Sequence, residues 1–167
     1  MGAFSPAYDG VIEVGAVPDD FTDRMARRVE TGLLSPGSRR RADYFVRSRS
    51  SDAISFAARG FWTAYAIGLN EVELRREGLQ RIAYHGSFRR WAMYAAFNGL
   101  VLSLFILAAV VLWSDGRQEL SRTPYGWPLF LGLLAFFGLL WPWLLVAFHR
   151  TVVPRSLERI VREVVAG

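Results

Sequence analysis

The sequence predicts an α+β membrane protein. The expected parts are a small cytoplasmic antiparallel-sheet domain with one N-terminal helix, a two-helix transmembrane hairpin and a C-terminal amphipathic helix. Three observations carry this. Trp91 to Trp113 and Trp127 to Phe148 are apolar runs of 23 and 22 residues with no Asp, Glu, Arg or His. A helix rising ~1.5 Å per residue crosses the ~30 Å hydrocarbon core in about 20 residues, and neither run carries a charge that would resist insertion. Second, Trp91, Trp113, Trp127, Trp141 and Trp143 sit near the four expected span ends, five of the six tryptophans in the chain, as an interfacial aromatic belt requires. Third, the residues before Trp91 alternate apolar and polar, the period of half-buried strands.

The elements follow in order. Tyr8 to Ala16 alternates and reads as a strand. Pro18, Asp19 and Asp20 open a helix, because proline fits the first turn and carboxylates favour the positive helix end. Phe21, Met25, Val29 and Leu33 give it one apolar stripe, with Gly32 as its C-cap and Ser35-Pro36-Gly37-Ser38 as a stop. Tyr44 to Ser50 and Ala53 to Arg59 form a hairpin around Ser51-Asp52. The run from Phe61 to Leu69 alternates again, then Val72 and Leu74, and Glu77-Gly78 turns into a last strand bearing Ile82 and Tyr84. The domain plan is therefore 1–90 cytoplasmic, 91–113 first span, 114–126 external loop, 127–148 second span and 149–167 cytoplasmic tail. In that tail, Val153-Pro154 is expected to start a new helix. Its apolar face is Leu157, Ile160, Val161 and Val164, and Glu158–Arg162 and Arg159–Glu163 are spaced for ion pairs.

Charge sets the orientation. Residues 1–90 carry a net +3, residues 114–126 are neutral and residues 149–167 carry +2. Arginines crowd the outer flanks of the two spans, so both termini are expected in the cytoplasm and the loop outside, in a bacterial inner membrane. All 20 basic residues are Arg, which fits a GC-rich genome better than a special function. The first residues lack the basic and apolar regions of a signal peptide, so the first span is expected to serve as its own insertion signal. The chain has no Cys and only two His, His85 and His149. Disulfides, thiol nucleophiles and Cys-ligated metals are excluded, and a His-based metal site is not expected.

The order strand, helix, antiparallel strands, closing helix resembles the helix-grip (START-like) domains over residues 1–90 and 149–167, with the hairpin inserted before the last helix. Ile67-Gly68-Leu69-Asn70-Glu71-Val72, Phe88-Arg89-Arg90-Trp91 and Leu140-Trp141-Pro142-Trp143 are similar to segments of uncharacterised bacterial two-helix membrane proteins. Neither resemblance implies a catalytic residue or a cofactor.

Four features could carry function. Ala92, Ala96, Gly99 and Ser103 form a small-residue seam on the first span, and Gly132 and Ala135 on the second could face it. Such seams let helix backbones approach closely. They serve closure of the hairpin on itself, or a homo-oligomer or larger membrane complex. Arg39, Arg40 and Arg41, with Arg89, Arg90 and Arg150, suit anionic lipid headgroups, at ~1 kcal/mol per contact near the surface. Acids interrupt the first cluster and no nucleic-acid fold signature occurs, so no nucleic acid is expected. Phe56, Phe61, Trp62 and Tyr65 could line a cup for a lipid or other apolar small molecule. His85 lacks a nucleophile or carboxylate in any recognisable motif, so no enzyme is expected. Asn98 is the most polar group in either span, able to hydrogen-bond across helices or to reach interfacial water.

Overall fold

A computed structural model of the chain describes residues 5–33, 44–60, 63 and 69–167. It divides into two compact units, Met1–Trp91 with His149–Gly167, and Ala92–Phe148. In chain order the elements are β1 (Ala7–Glu13), α1 (Phe21–Thr31), β2 (Tyr44–Arg49), β3 (Ala53–Ala58), β4 (Glu71–Arg76), β5 (Arg81–Ser87), α2 (Arg89–Leu112), α3 (Ser114–Arg122), α4 (Gly126–Ala135), a π-helical turn (Phe136–Leu140) and α5 (Trp141–Ala166). The protein is thus α+β, with a five-stranded sheet and two helical runs long and apolar enough to cross a membrane.

In the first unit every strand pair is antiparallel, in the order β1-β5-β4-β3-β2. Alternation places Tyr8, Ile12, Ile82, Val72, Leu74, Ile54, Phe56 and Tyr44 on one buried face. The register stacks Ile12 beside Ile82, Leu74 between Tyr84 and Ile54, and Phe56 between Val72 and Val46. The opposite face holds Asp9, Glu13, Glu73, Arg75, Arg81 and His85 in water. Helix α1 runs close to β2 and β3 and buries Phe21, Met25 and Val29, the stripe its four-residue spacing predicts. Gly32 caps it, with its N–H donating to the Arg28 carbonyl at 3.0 Å. Of the alternating run 61–69, only Thr63 and Leu69 are described, and Thr63 is helical rather than extended. The expected stop at 35–38 lies outside the described residues.

The tail departs from expectation at its start. Val153-Pro154 opens no new helix, because α5 runs unbroken from Trp141 through Pro154 to Ala166. An internal proline removes one backbone bond and crowds the preceding turn. Val153, Leu157, Ile160, Val161 and Val164 nonetheless keep one buried face, and burial of that stripe outweighs the local penalty. The apolar face of the tail is therefore covered by protein in this unit. Of the two expected ion pairs, Glu158–Arg162 forms at 2.7 Å, whereas Glu163 turns from Arg159 to Arg28 of α1 at 3.0 Å.

In the second unit the segment expected as an external loop is largely the helix α3, followed by a left-handed Tyr125 with φ 60°. A π-turn precedes Pro142. Its missing N–H can serve neither Phe137 nor Gly138, and the helix widens just before it, with the Trp141 N–H donating to Phe136 five residues back. Such π-turns commonly mark a place where the ordinary ladder cannot be completed.

Candidate functional site

The small-residue seam is where the two apolar helices of the second unit touch. A Cβ at Gly99 would lie 3.1 Å from both the Phe137 carbonyl oxygen and Pro142 Cγ. One at Gly138 would lie 2.8 Å from Ser103 Oγ, and the Ser103 hydroxyl donates to the Leu134 carbonyl at 3.3 Å. Gly99 and Ser103 thus lie against the second run, and Ala92 and Ala96 are half-buried. Their counterpart is Gly138. Gly132 has open space where a Cβ would sit and Ala135 is exposed. Both precede the π-turn on α4, on a side turned away from the contact that Leu134, Phe137 and Gly138 make.

A polar collar holds the start of α2 inside the first unit. The buried Asn70 accepts the Trp91 N–H on Oδ1 at 2.8 Å, satisfying one of the donors that every helix start leaves over. The Arg90 guanidinium donates to the Ala58 carbonyl at 3.0 Å. Trp91 stacks on His149 with ring centroids 3.8 Å apart, and Phe88 meets Trp91 edge-on at 6.2 Å. Of the six arginines expected at lipid headgroups, Arg90 is therefore turned inward, Arg150 is half-buried and engaged, and Arg89 is exposed. Arg39, Arg40 and Arg41 lie outside the described residues. The Ser87 hydroxyl accepts the Arg89 N–H at 3.2 Å at the same helix start; nothing local in the sequence marks Asn70 as the acceptor for a helix 21 residues on.

Two further features belong to the first unit. Asp20, Arg24, Arg27, Arg28, Thr31 and Glu163 line an open cleft of about 510 Å³. The Arg24 Nε–H donates to both Asp20 oxygens, at 2.8 and 2.9 Å, and this contact with Arg24 holds the Asp20 carboxyl below its usual range. Arg28 is committed to Glu163, which leaves Arg27 as the cleft guanidinium with no carboxylate partner among the described residues.

The second feature is a tyrosine cluster inside the sheet. The Tyr8 ring lies over Gly86 and the Tyr84 ring over Gly10, where any Cβ would overlap them. Tyr8 also stacks with Phe88 at 6.1 Å, and Tyr44 meets Phe56 edge-on at 6.3 Å. The hydroxyls of Tyr8 and Tyr44 are buried with no hydrogen-bond partner among the described residues. Burial pushes both phenols well above the ordinary tyrosine value, and at Tyr8 the neighbouring Tyr44 and Tyr84 add to it. Phe56 is fully buried here, whereas Phe61, Trp62 and Tyr65 lie outside the described residues. His85 is an exposed cross-strand neighbour of Asp9, with Nδ1 4.0 Å from its carboxylate. No group of three His, Cys, Asp or Glu suited to a metal occurs among the described residues. Compared with protein-family models, with curated proteins and with solved structures, the chain matches none.

Proposed function

We propose that this is a non-catalytic integral membrane protein whose cytoplasmic unit serves as an interaction or assembly module at the inner-membrane surface. One observation carries the reading. Only 6% of the most apolar stretch of Arg89–Leu112, and 17% of that in Gly126–Ala166, is buried. A core helix of a soluble protein hides its apolar side chains, yet Phe105 is 70% and Leu112 82% exposed. An exposed apolar surface of that extent needs a solvent of its own kind. Lipid is that solvent, the arginine-rich flanks stay with both termini in the cytoplasm, and α3 faces the other side. Arg89, exposed beside the first apolar run, offers charge to anionic headgroups, and the charged outer face of the sheet is the surface open to a protein partner. A reporter fused at Gly116 and one fused at either terminus should answer from opposite sides of the membrane; signals from the same side refute the topology.

A second reading has its own support. The unpartnered Tyr8 and Tyr44 hydroxyls, and the pairing of β1 with β5 before a closing helix, fit a helix-grip cup that holds a lipid or other apolar small molecule. Native mass spectrometry of the detergent-extracted chain should then retain a small-molecule adduct that Tyr8→Phe weakens. A bare chain under conditions that preserve other lipid–protein complexes counts against it.

A further inference from the structure

We infer that two copies of this chain associate within the bilayer through the Asn98 face of α2, a conclusion that rests on the membrane reading above. Asn98 lies seven residues beyond Trp91, ~10 Å along the helix axis and within the first apolar run. Its side chain is exposed and makes no hydrogen bond among the described residues. A carboxamide brings two donors and an oxygen with two lone pairs, and leaving these among acyl chains is costly.

Hairpin closure does not solve the problem. The second apolar run meets α2 on the Gly99 and Ser103 side. At 100° per residue, Asn98 points about 130° away from the centre of the seam formed by Ala92, Ala96, Gly99 and Ser103. Around it the stripe continues through Val101, Leu102 and Phe105, which are 46%, 57% and 70% exposed. These offer contact area but no polar group. The occupant must therefore bring its own amide at the same depth, beside an equally apolar stripe. A second copy of α2 does so: across a two-fold axis each Asn98 donates to, and accepts from, its counterpart.

The absence of Cys makes the test direct. The full chain with Phe105→Cys, on the Asn98 stripe, is reconstituted in vesicles of phosphatidylethanolamine and phosphatidylglycerol at low protein-to-lipid ratio. It is checked by flotation and oxidised with copper phenanthroline. Leu104→Cys, 55% exposed but about 100° round the helix, is the control. The Phe105→Cys chain should form several-fold more disulfide dimer than the Leu104→Cys chain. Adding Asn98→Leu should lower the dimer about 3- to 15-fold, and Asn98→Gln should retain it. A chain that floats with the vesicles but cross-links equally at both positions, or ignores Asn98→Leu, overturns the inference alone. A chain that fails to float overturns the membrane reading and this inference with it.

Discussion

Replacing Tyr8 or Tyr44 by phenylalanine should stabilise the sheet unit, the reverse of what truncating a core side chain usually does. Both residues are nearly inaccessible, 3% and 4% exposed, and both hydroxyls lack partners among the described residues. Phenylalanine keeps the ring, the stacking on Phe88 or Phe56 and the cover over Gly86, so no cavity opens. What is lost is an O–H that was stripped of water without compensation, a cost of ~1–3 kcal/mol. Taking the lower end, each substitution should gain ~1 kcal/mol, and a unit of this size should then melt ~4 °C higher. The assay is thermal unfolding of the detergent-solubilised chain followed by near-ultraviolet circular dichroism of its packed aromatic side chains. A loss of more than ~1 kcal/mol in the delipidated protein would mean that the hydroxyl has a protein or water partner, and the argument from unpartnered phenols would fail. If the loss appears only with lipid present and vanishes on delipidation, the hydroxyl is bonded to a bound molecule, as the cup reading requires.

Other outcomes follow from the same geometry. The folded-state phenols of Tyr8 and Tyr44 are raised above the ordinary value of ~10 that they take in the unfolded chain. Their neutral burial therefore supports the fold fully below pH ~10 and is lost as pH rises beyond it; a pH titration of unfolding should show this, and the Tyr8→Phe/Tyr44→Phe chain should hold to higher pH. Gly138→Ala should destabilise the hairpin by ~1–3 kcal/mol, since its Cβ would press on Ser103 Oγ at 2.8 Å, whereas Gly132→Ala, facing open space, should be neutral or slightly stabilising in the same detergent melt. Asn70→Ala should cost ~1–3 kcal/mol by leaving the buried Trp91 N–H without its acceptor, read as faster proteolysis near residue 90. Equal behaviour of the two glycine variants would remove Gly138 from the helix contact.

Much of the architecture was legible in the residues because it depends on local period and on solvent class. Strand alternation placed the β2–β3 hairpin within a residue, put Val72 and Leu74 on β4 and Ile82 and Tyr84 on β5, and carried β1 three residues past its end at Glu13, while the four-residue spacing of Phe21, Met25 and Val29 named the buried face of α1. The two helical runs long and apolar enough to cross a membrane needed only length and the absence of charge. Within α2, Gly99 and Ser103 share a face because an undisturbed helix keeps phase over that distance.

On the second run Gly138, within the π-turn at Phe136–Leu140, is the partner in place of Gly132 and Ala135, because the side of a uniformly apolar helix that meets its neighbour is a tertiary choice. Continuation of α5 through Pro154 was likewise invisible locally, because the proline's penalty is a neighbour effect while the burial that outweighs it comes from residues far off in sequence. The same holds for Asn70 reaching Trp91, Arg28 taking Glu163, and the two phenols left without partners. Period and composition belong to the chain itself and fix which segments form and which solvent each prefers. Pairing between distant residues depends on three-dimensional proximity, so only the folded structure decided which seam closes, which arginines remain available and where polar atoms go unsatisfied.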